Sequence, residues 1–176
     1  MIISAVLLPN EQDTERLIQH SVAINKRADS IIQLSNHYLP HVTVAQFIAP
    51  PEAAENLWEH VSRYKTHVTE LISAGLVIVP SFEHNETWIE LQFLKSAALA
   101  ELQSIILKSE FANKYQLHSG TGDKYRPHCT LALLNGFTVP SLDLSKQVLF
   151  RRRFQDLKLA VGLNGENFTF VETKYS

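Results

Sequence analysis

Residues 38–45, Tyr-Leu-Pro-His-Val-Thr-Val-Ala, return as residues 125–132, Tyr-Arg-Pro-His-Cys-Thr-Leu-Ala. Tyr, Pro, His, Thr and Ala recur in the same order, and His41 and His128 stand 87 positions apart in a chain of 176 residues. A self-match at a fixed period is the mark of a repeated architecture. Each histidine follows a proline and leads into β-branched and aliphatic residues, so each phrase reads as the start of a strand. On a strand, residues i and i+2 share a face. His41 therefore projects with Thr43, and His128 with Thr130. Ala45 and Ala132 are expected to continue these faces and to leave room above them. Val42, Val44, Cys129 and Leu131 turn the other way, into a core, which argues against Cys129 as a nucleophile.

Outward from the two phrases, the flanking elements keep step. Residues 2–8 are an apolar run that reads as a buried strand, residues 11–28 carry a helical apolar stripe, and Pro51 opens a helix over 51–63. Shifted by the same offset, these fall on 89–95, 98–115 and 138–150. The second half predicts a strand over 87–93, a helix over 97–111 and a short helix over 141–149, in register within the usual boundary error. Segments 31–34 and 68–73 are ambiguous, residues 76–79 read as a strand, and Asn85-Glu86 reads as a turn. Residues 154–163 and 167–173 predict a terminal hairpin about Asn164-Gly165. No linker divides the chain. The expectation is an α+β fold over residues 1–176, one two-lobed domain with an internal repeat of roughly 1–85 and 86–176.

Composition narrows the function classes. Apolar residues at 45% suffice for a real core and exclude a disordered chain. A net charge of −2 opposes a general polyanion-binding protein while allowing a local basic pocket. A single cysteine permits no internal disulfide and suits a reducing compartment. The apolar start, Met1 to Leu8, is too short for a signal peptide and lacks a basic leader, and no run is long enough to span a bilayer. A cytoplasmic protein with no membrane partner is expected.

Two histidines, each with a threonine beside it, suit one reaction well. Cleaving a phosphodiester needs one group to take a proton from the attacking oxygen and another to give one to the leaving oxygen, and imidazole does either near neutral pH. Threonine hydroxyls can donate to the charged non-bridging oxygens. No cofactor or metal is called for. The remaining histidines, His20, His37, His60, His84 and His118, show no metal-ligand spacing. The bare tripeptide His-x-Thr is weak evidence, since this composition yields about half a match by chance. The third copy, His67-Val68-Thr69, lacks the preceding Tyr-x-Pro and any counterpart at the repeat offset, and reads as coincidence.

The paired Tyr-x-Pro-His-x-Thr phrases make the chain resemble the two-histidine (2H) phosphoesterase superfamily, which includes the 2′-5′ RNA ligase-like proteins. The likeness runs through nearly the whole order of elements. It implies two antiparallel sheets facing a central cleft, with helices outside. It also implies catalytic roles for His41 and His128, phosphate contacts for Thr43 and Thr130, and substrates that are 2′,3′-cyclic phosphates, related cyclic phosphodiesters or 2′-5′ linkages. The expected partner is a nucleotide or RNA end, bound by a monomer with no obligatory protein partner. Tyr38, Tyr125 and Arg126 are candidate substrate-binding residues. For each tyrosine the alternative is packing beside its proline. Arg126 stands where the first phrase has Leu39, so the halves are expected to differ in charge there. Phe47 and Trp88 are read as core residues with a possible place in the cleft, and Arg151-Arg152-Arg153 as a solvated basic run. Three readings stay open at this level: hydrolysis, the reverse ligation, and a binding module that retains the cleft without turnover. A histidine metal site is opposed by the missing carboxylates.

Overall fold

The computed structural model describes residues 1–26, 28–137, 151–165 and 169–176. The helix expected over 141–149 lies outside the described residues, as does the start of the strand expected over 167–173. The apolar run at the N-terminus forms strand β1 (Ile2–Leu8). Asn10 then accepts a hydrogen bond from the Asp13 amide and caps helix α1 (Glu11–Asn25), which buries Leu17, Ser21 and Ile24. There follow β2 (Ser30–Gln33), β3 (Val42–Ile48), α2 (Ala53–Val61), β4 (Glu70–Ser81), β5 (Glu86–Phe93), α3 (Ala97–Leu107), α4 (Glu110–Lys114), β6 (Gln116–Leu117), β7 (His128–Asn135), β8 (Arg153–Gln155), β9 (Lys158–Asn164) and β10 (Phe170–Tyr175). No described helix is long and apolar enough to cross a membrane.

Three expected elements come out differently, each for a local reason. The segments around 68–73 and 76–79 are one strand, β4. Gly75 adopts φ 138°, where the pairing with β5 shifts register, so a strand passes through what reads as a break. The helix expected over 97–111 is two helices. The Ser109 hydroxyl donates to the Ile106 carbonyl (2.6 Å) and accepts from the Ala112 amide (3.2 Å), which ends α3 and starts α4. The strand expected over 154–163 is also two, broken at Asp156 with φ 55°. Its first piece, β8, pairs with β4, while β9 pairs with β1 in the other sheet.

Two five-stranded antiparallel sheets result, in the orders β10-β9-β1-β3-β6 and β2-β7-β5-β4-β8. Elements related by the repeat hold matching places: β1 and β5, β2 and β6, β3 and β7, β4 and β9. The lobes are nevertheless not the sequence halves. The edge strand β6 of the second half pairs with β3, and β2 of the first half pairs with β7. Likewise α1 packs on β7 and α3 on β3. Each motif strand is therefore held by elements from the other half. A contiguous apolar core, with Val44, Phe47, Ile89, Leu91 and Leu131 fully buried, lies behind both motif strands. Each such side chain contributes about 1.5–3 kcal/mol on burial.

Candidate functional site

Both motif strands carry a bulge at the same place. Ala45 faces Ala5 and Thr43 faces Val6, so Val44 is an extra residue in β3. Ala132 faces Ile89 and Thr130 faces Glu90, so Leu131 is the extra residue in β7. A bulge resets the alternation of side chains and takes one residue out of the ladder. This corrects the expectation for Ala45 and Ala132. Both turn into the core with Val44 and Leu131, and it is Gln46 that joins His41 and Thr43 in the cleft. The carbonyls of the two bulge residues are met by buried side chains from the crossed-over helices. Gln103 Nε2 donates to Val44 O (3.0 Å), and Ser21 Oγ donates to Leu131 O (2.6 Å). A buried carbonyl left without a donor would cost about 1–3 kcal/mol.

His41 and His128 line one cleft of about 410 Å³, together with Thr43 and Thr130. Their rings are held in the same way. His41 Nδ1 lies 2.9 Å from the Leu39 carbonyl and His128 Nδ1 lies 2.8 Å from the Arg126 carbonyl. The carbonyl can only accept, so Nδ1 carries the proton and Nε2 is the ring nitrogen left for chemistry. The intervening prolines, Pro40 and Pro127, fix φ and hold the residue before them extended, which aims that carbonyl back at the ring. This is the physical content of the Pro-His pair in each phrase.

The surroundings of the two rings differ. His41 is half-buried and packs against Phe170, with ring centroids 5.3 Å apart. Phe170 belongs to a small apolar cluster with Val6 and Ala160, against which Leu39 packs. Gly162 makes room for it, since a Cβ there would come within 2.5 Å of the Phe170 ring and 2.0 Å of the Glu172 carbonyl. Burial lowers the His41 pKa to about 4; the Leu39 carbonyl pulls it up, and the His128 charge adds to the lowering. Beside His128 stands Glu90, only 4% exposed. Its Oε1 is 3.6 Å from His128 Nε2 and its Oε2 is 3.3 Å from Arg126 Nη2.

The remaining candidates separate clearly. Tyr38 is 42% exposed and lines the cleft. Tyr125 also borders the cleft but is 7% exposed, and its hydroxyl donates to the Thr43 carbonyl at 2.7 Å. The second phrase thus braces the first motif strand, and this hydroxyl is not free for a substrate. Arg126 lines the cleft and shares its charge with Glu90; Lys124 stands nearby on the rim. Trp88 faces the cleft, whereas Phe47 is buried against Phe111. Cys129 is buried, and burial pushes its thiol up to about 12. His67 pairs with Glu101 (3.1 Å) away from the cleft. Within the basic run, Arg152 pairs with the buried Asp13 (2.9 Å) and Arg153 with Glu70 (3.2 Å). Among the described residues no group of three His, Cys, Asp or Glu is placed to hold a metal ion. Glu90, Phe170, Ser21 and Gln103 escape sequence reading. Only Glu90 offers a signal, as a carboxylate within an otherwise apolar strand, Trp88-Ile89-Glu90-Leu91.

No family model matches the chain, and no curated protein matches it. Solved structures share its fold. A crystallised phosphoesterase is 12% identical with a TM-score of 0.53, over 99% of this chain and 92% of that one. The PDE domain of MHV ns2 is 12% identical with a TM-score of 0.51, over 90% of this chain and 97% of that one. E. coli LigT in its apo form is 14% identical with a TM-score of 0.50, over 99% of this chain and 92% of that one. These structures are members of the two-histidine phosphoesterase superfamily, and at such identities the likeness is one of fold.

Proposed function

We propose that the chain is a phosphoesterase that opens a 2′,3′-cyclic phosphate, or cuts a 2′-5′ phosphodiester, at a nucleotide or RNA end. The observation that carries this reading is the pair of imidazoles in one cleft. Each has Nδ1–H donated to the carbonyl two residues before it, and each has a threonine two positions on. The shared fold of phosphoesterases supports it.

The unlike surroundings favour a division of labour. His41, whose burial holds its pKa down at about 4, is neutral near pH 7 and takes a proton from water on Nε2. The water oxygen attacks phosphorus, the bond from phosphorus to the ribose oxygen breaks, and that oxygen takes a proton from His128 Nε2. One water is consumed and a phosphomonoester is formed; solvent then returns a proton to His128 and removes one from His41. The Thr43 and Thr130 hydroxyls donate to the non-bridging oxygens as their charge grows. Arg126 and Lys124 offset the charge of the phosphate at the rim. No step requires a metal ion.

The test offers 2′,3′-cyclic nucleotides, cyclic dinucleotides and 2′-5′ oligomers, with a chelator present, to the wild type and to His41→Ala and His128→Ala. Each substitution is expected to lower kcat/KM by about 10²–10⁴ on the preferred substrate. Unchanged turnover in either variant refutes acid–base catalysis by the pair, and loss of wild-type activity in chelator refutes a metal-free reaction.

A further inference from the structure

The two motif strands share their bulge, but the strands that face them there differ in charge. The residue facing the bulge is Val6 beside Thr43 but Glu90 beside Thr130. A buried carboxylate in a cleft meant for an anion is unfavourable twice over, through its own desolvation and through repulsion of the ligand. It is compensated only if cations stand against it. Two do: Arg126 at 3.3 Å, and His128 at 3.6 Å when its ring is charged. From Glu90, Arg126 and His128 we infer that Glu90 is a positioning residue that fixes His128 as the proton donor of the pair, so that the lobes cannot exchange roles.

This inference rests on the acid–base reading above. The carboxylate acts in two ways. Its Oε1 stands 3.6 Å from Nε2, an ion-pair contact, while Nδ1 is tied to the Arg126 carbonyl. It is also the negative charge that the ring meets when it carries its second proton. The other ionisable groups lining the cleft are Arg126, Lys124, His118, His41, Tyr38 and Tyr125. Among the described residues Glu90 is the one carboxylate that lines it. At Val6 the first lobe has no carboxylate, and burial keeps His41 uncharged and able to accept.

A general acid matters in proportion to how poor the leaving group is. With a ribose oxygen leaving, protonation is needed; with p-nitrophenolate leaving, it is not. Glu90→Gln keeps the shape and removes the charge. It is expected to lower kcat about tenfold or more on a 2′,3′-cyclic nucleotide, without raising KM, since a carboxylate that repels phosphate has been removed. On a nucleoside p-nitrophenyl phosphate the change is expected to stay within about threefold. Glu90→Val, which copies the other lobe, should behave the same way if the amide proves disruptive. His128→Ala is expected to show the same selectivity and His41→Ala to lose both substrates. Equal losses on both substrates, or none on the cyclic nucleotide, overturn the role of Glu90. If the Glu90 variants fail in this way while His128→Ala is inactive on the cyclic nucleotide, the acid–base reading survives alone. If His128→Ala is fully active, that reading itself has failed.

Discussion

Beside His41 the cleft is lined by Phe170 and Leu39, backed by the buried Val6. Around His128 it is charged: Glu90 and Arg126. The strand, the bulge, the proline, the carbonyl that holds Nδ1 and the neighbouring threonine are common to both. The duplicated parts place two imidazoles symmetrically, and the parts that are not duplicated decide what each one does. Desolvation is the main cause that holds one histidine neutral, while the other faces a buried carboxylate.

The comparison can be broken most forcefully at its apolar side. Phe170 is fully buried, so Phe170→Ala is expected to cost about 3–5 kcal/mol in chemical denaturation. In the folded fraction it should also raise the pH at which activity falls on the acid side, because His41 is wetted and its pKa moves back towards 6.5. The sign for stability follows from the same shift. The folded pKa of about 4 lies below the unfolded 6.5, so the unfolded chain binds the extra proton between those values. His41 therefore costs stability as pH falls from 6.5 towards 4, and the cost shrinks in Phe170→Ala.

Next in size come the threonines. Thr43→Ala and Thr130→Ala are each expected to lower kcat by about 10², with little change in KM, as measured by steady-state kinetics. A twentyfold inequality between them would show that one lobe carries most of the phosphate charge. The crossed supports come third. Gln103→Leu and Ser21→Ala each remove the donor from a bulge carbonyl and should cost about 1–3 kcal/mol in urea unfolding. Gln103→Leu should disturb the His41 strand, and Ser21→Ala the His128 strand. The smallest contrast is between the two tyrosines. Tyr125→Phe breaks the hydrogen bond to Thr43 O and should cost about 1 kcal/mol, whereas Tyr38→Phe should leave stability unchanged.

Much of this was legible in the chain itself. The two phrases announce the motif strands, and periodicity with the 87-residue offset places β1, α1, β5 and α3 beside them. The side chains of His41, Thr43, His128 and Thr130 come together as strand alternation requires. Legibility stops where geometry departs from regular alternation or where partners are distant in sequence. The bulges at Val44 and Leu131 turned Ala45 and Ala132 inward, and nothing in the octapeptides marks an extra residue. Tyr125 could not be assigned from its own half, because its partner, Thr43 O, lies 82 residues earlier. The exchange of β2 and β6 between halves is likewise a tertiary fact: edge strands of four and two residues carry too little pattern to choose a partner. Phe170 and Glu90, which distinguish the lobes, read from sequence as an ordinary strand aromatic and an isolated acid.

The most direct measurement is an NMR titration of the wild-type protein with ring-15N histidine. His41 should remain neutral, with its proton on Nδ1, until the pH approaches 4, and the Phe170→Ala spectrum should show that threshold rise. A His41 ring that is protonated at pH 6, or that carries its neutral proton on Nε2, contradicts its assignment as the base and with it the inequality of the two lobes.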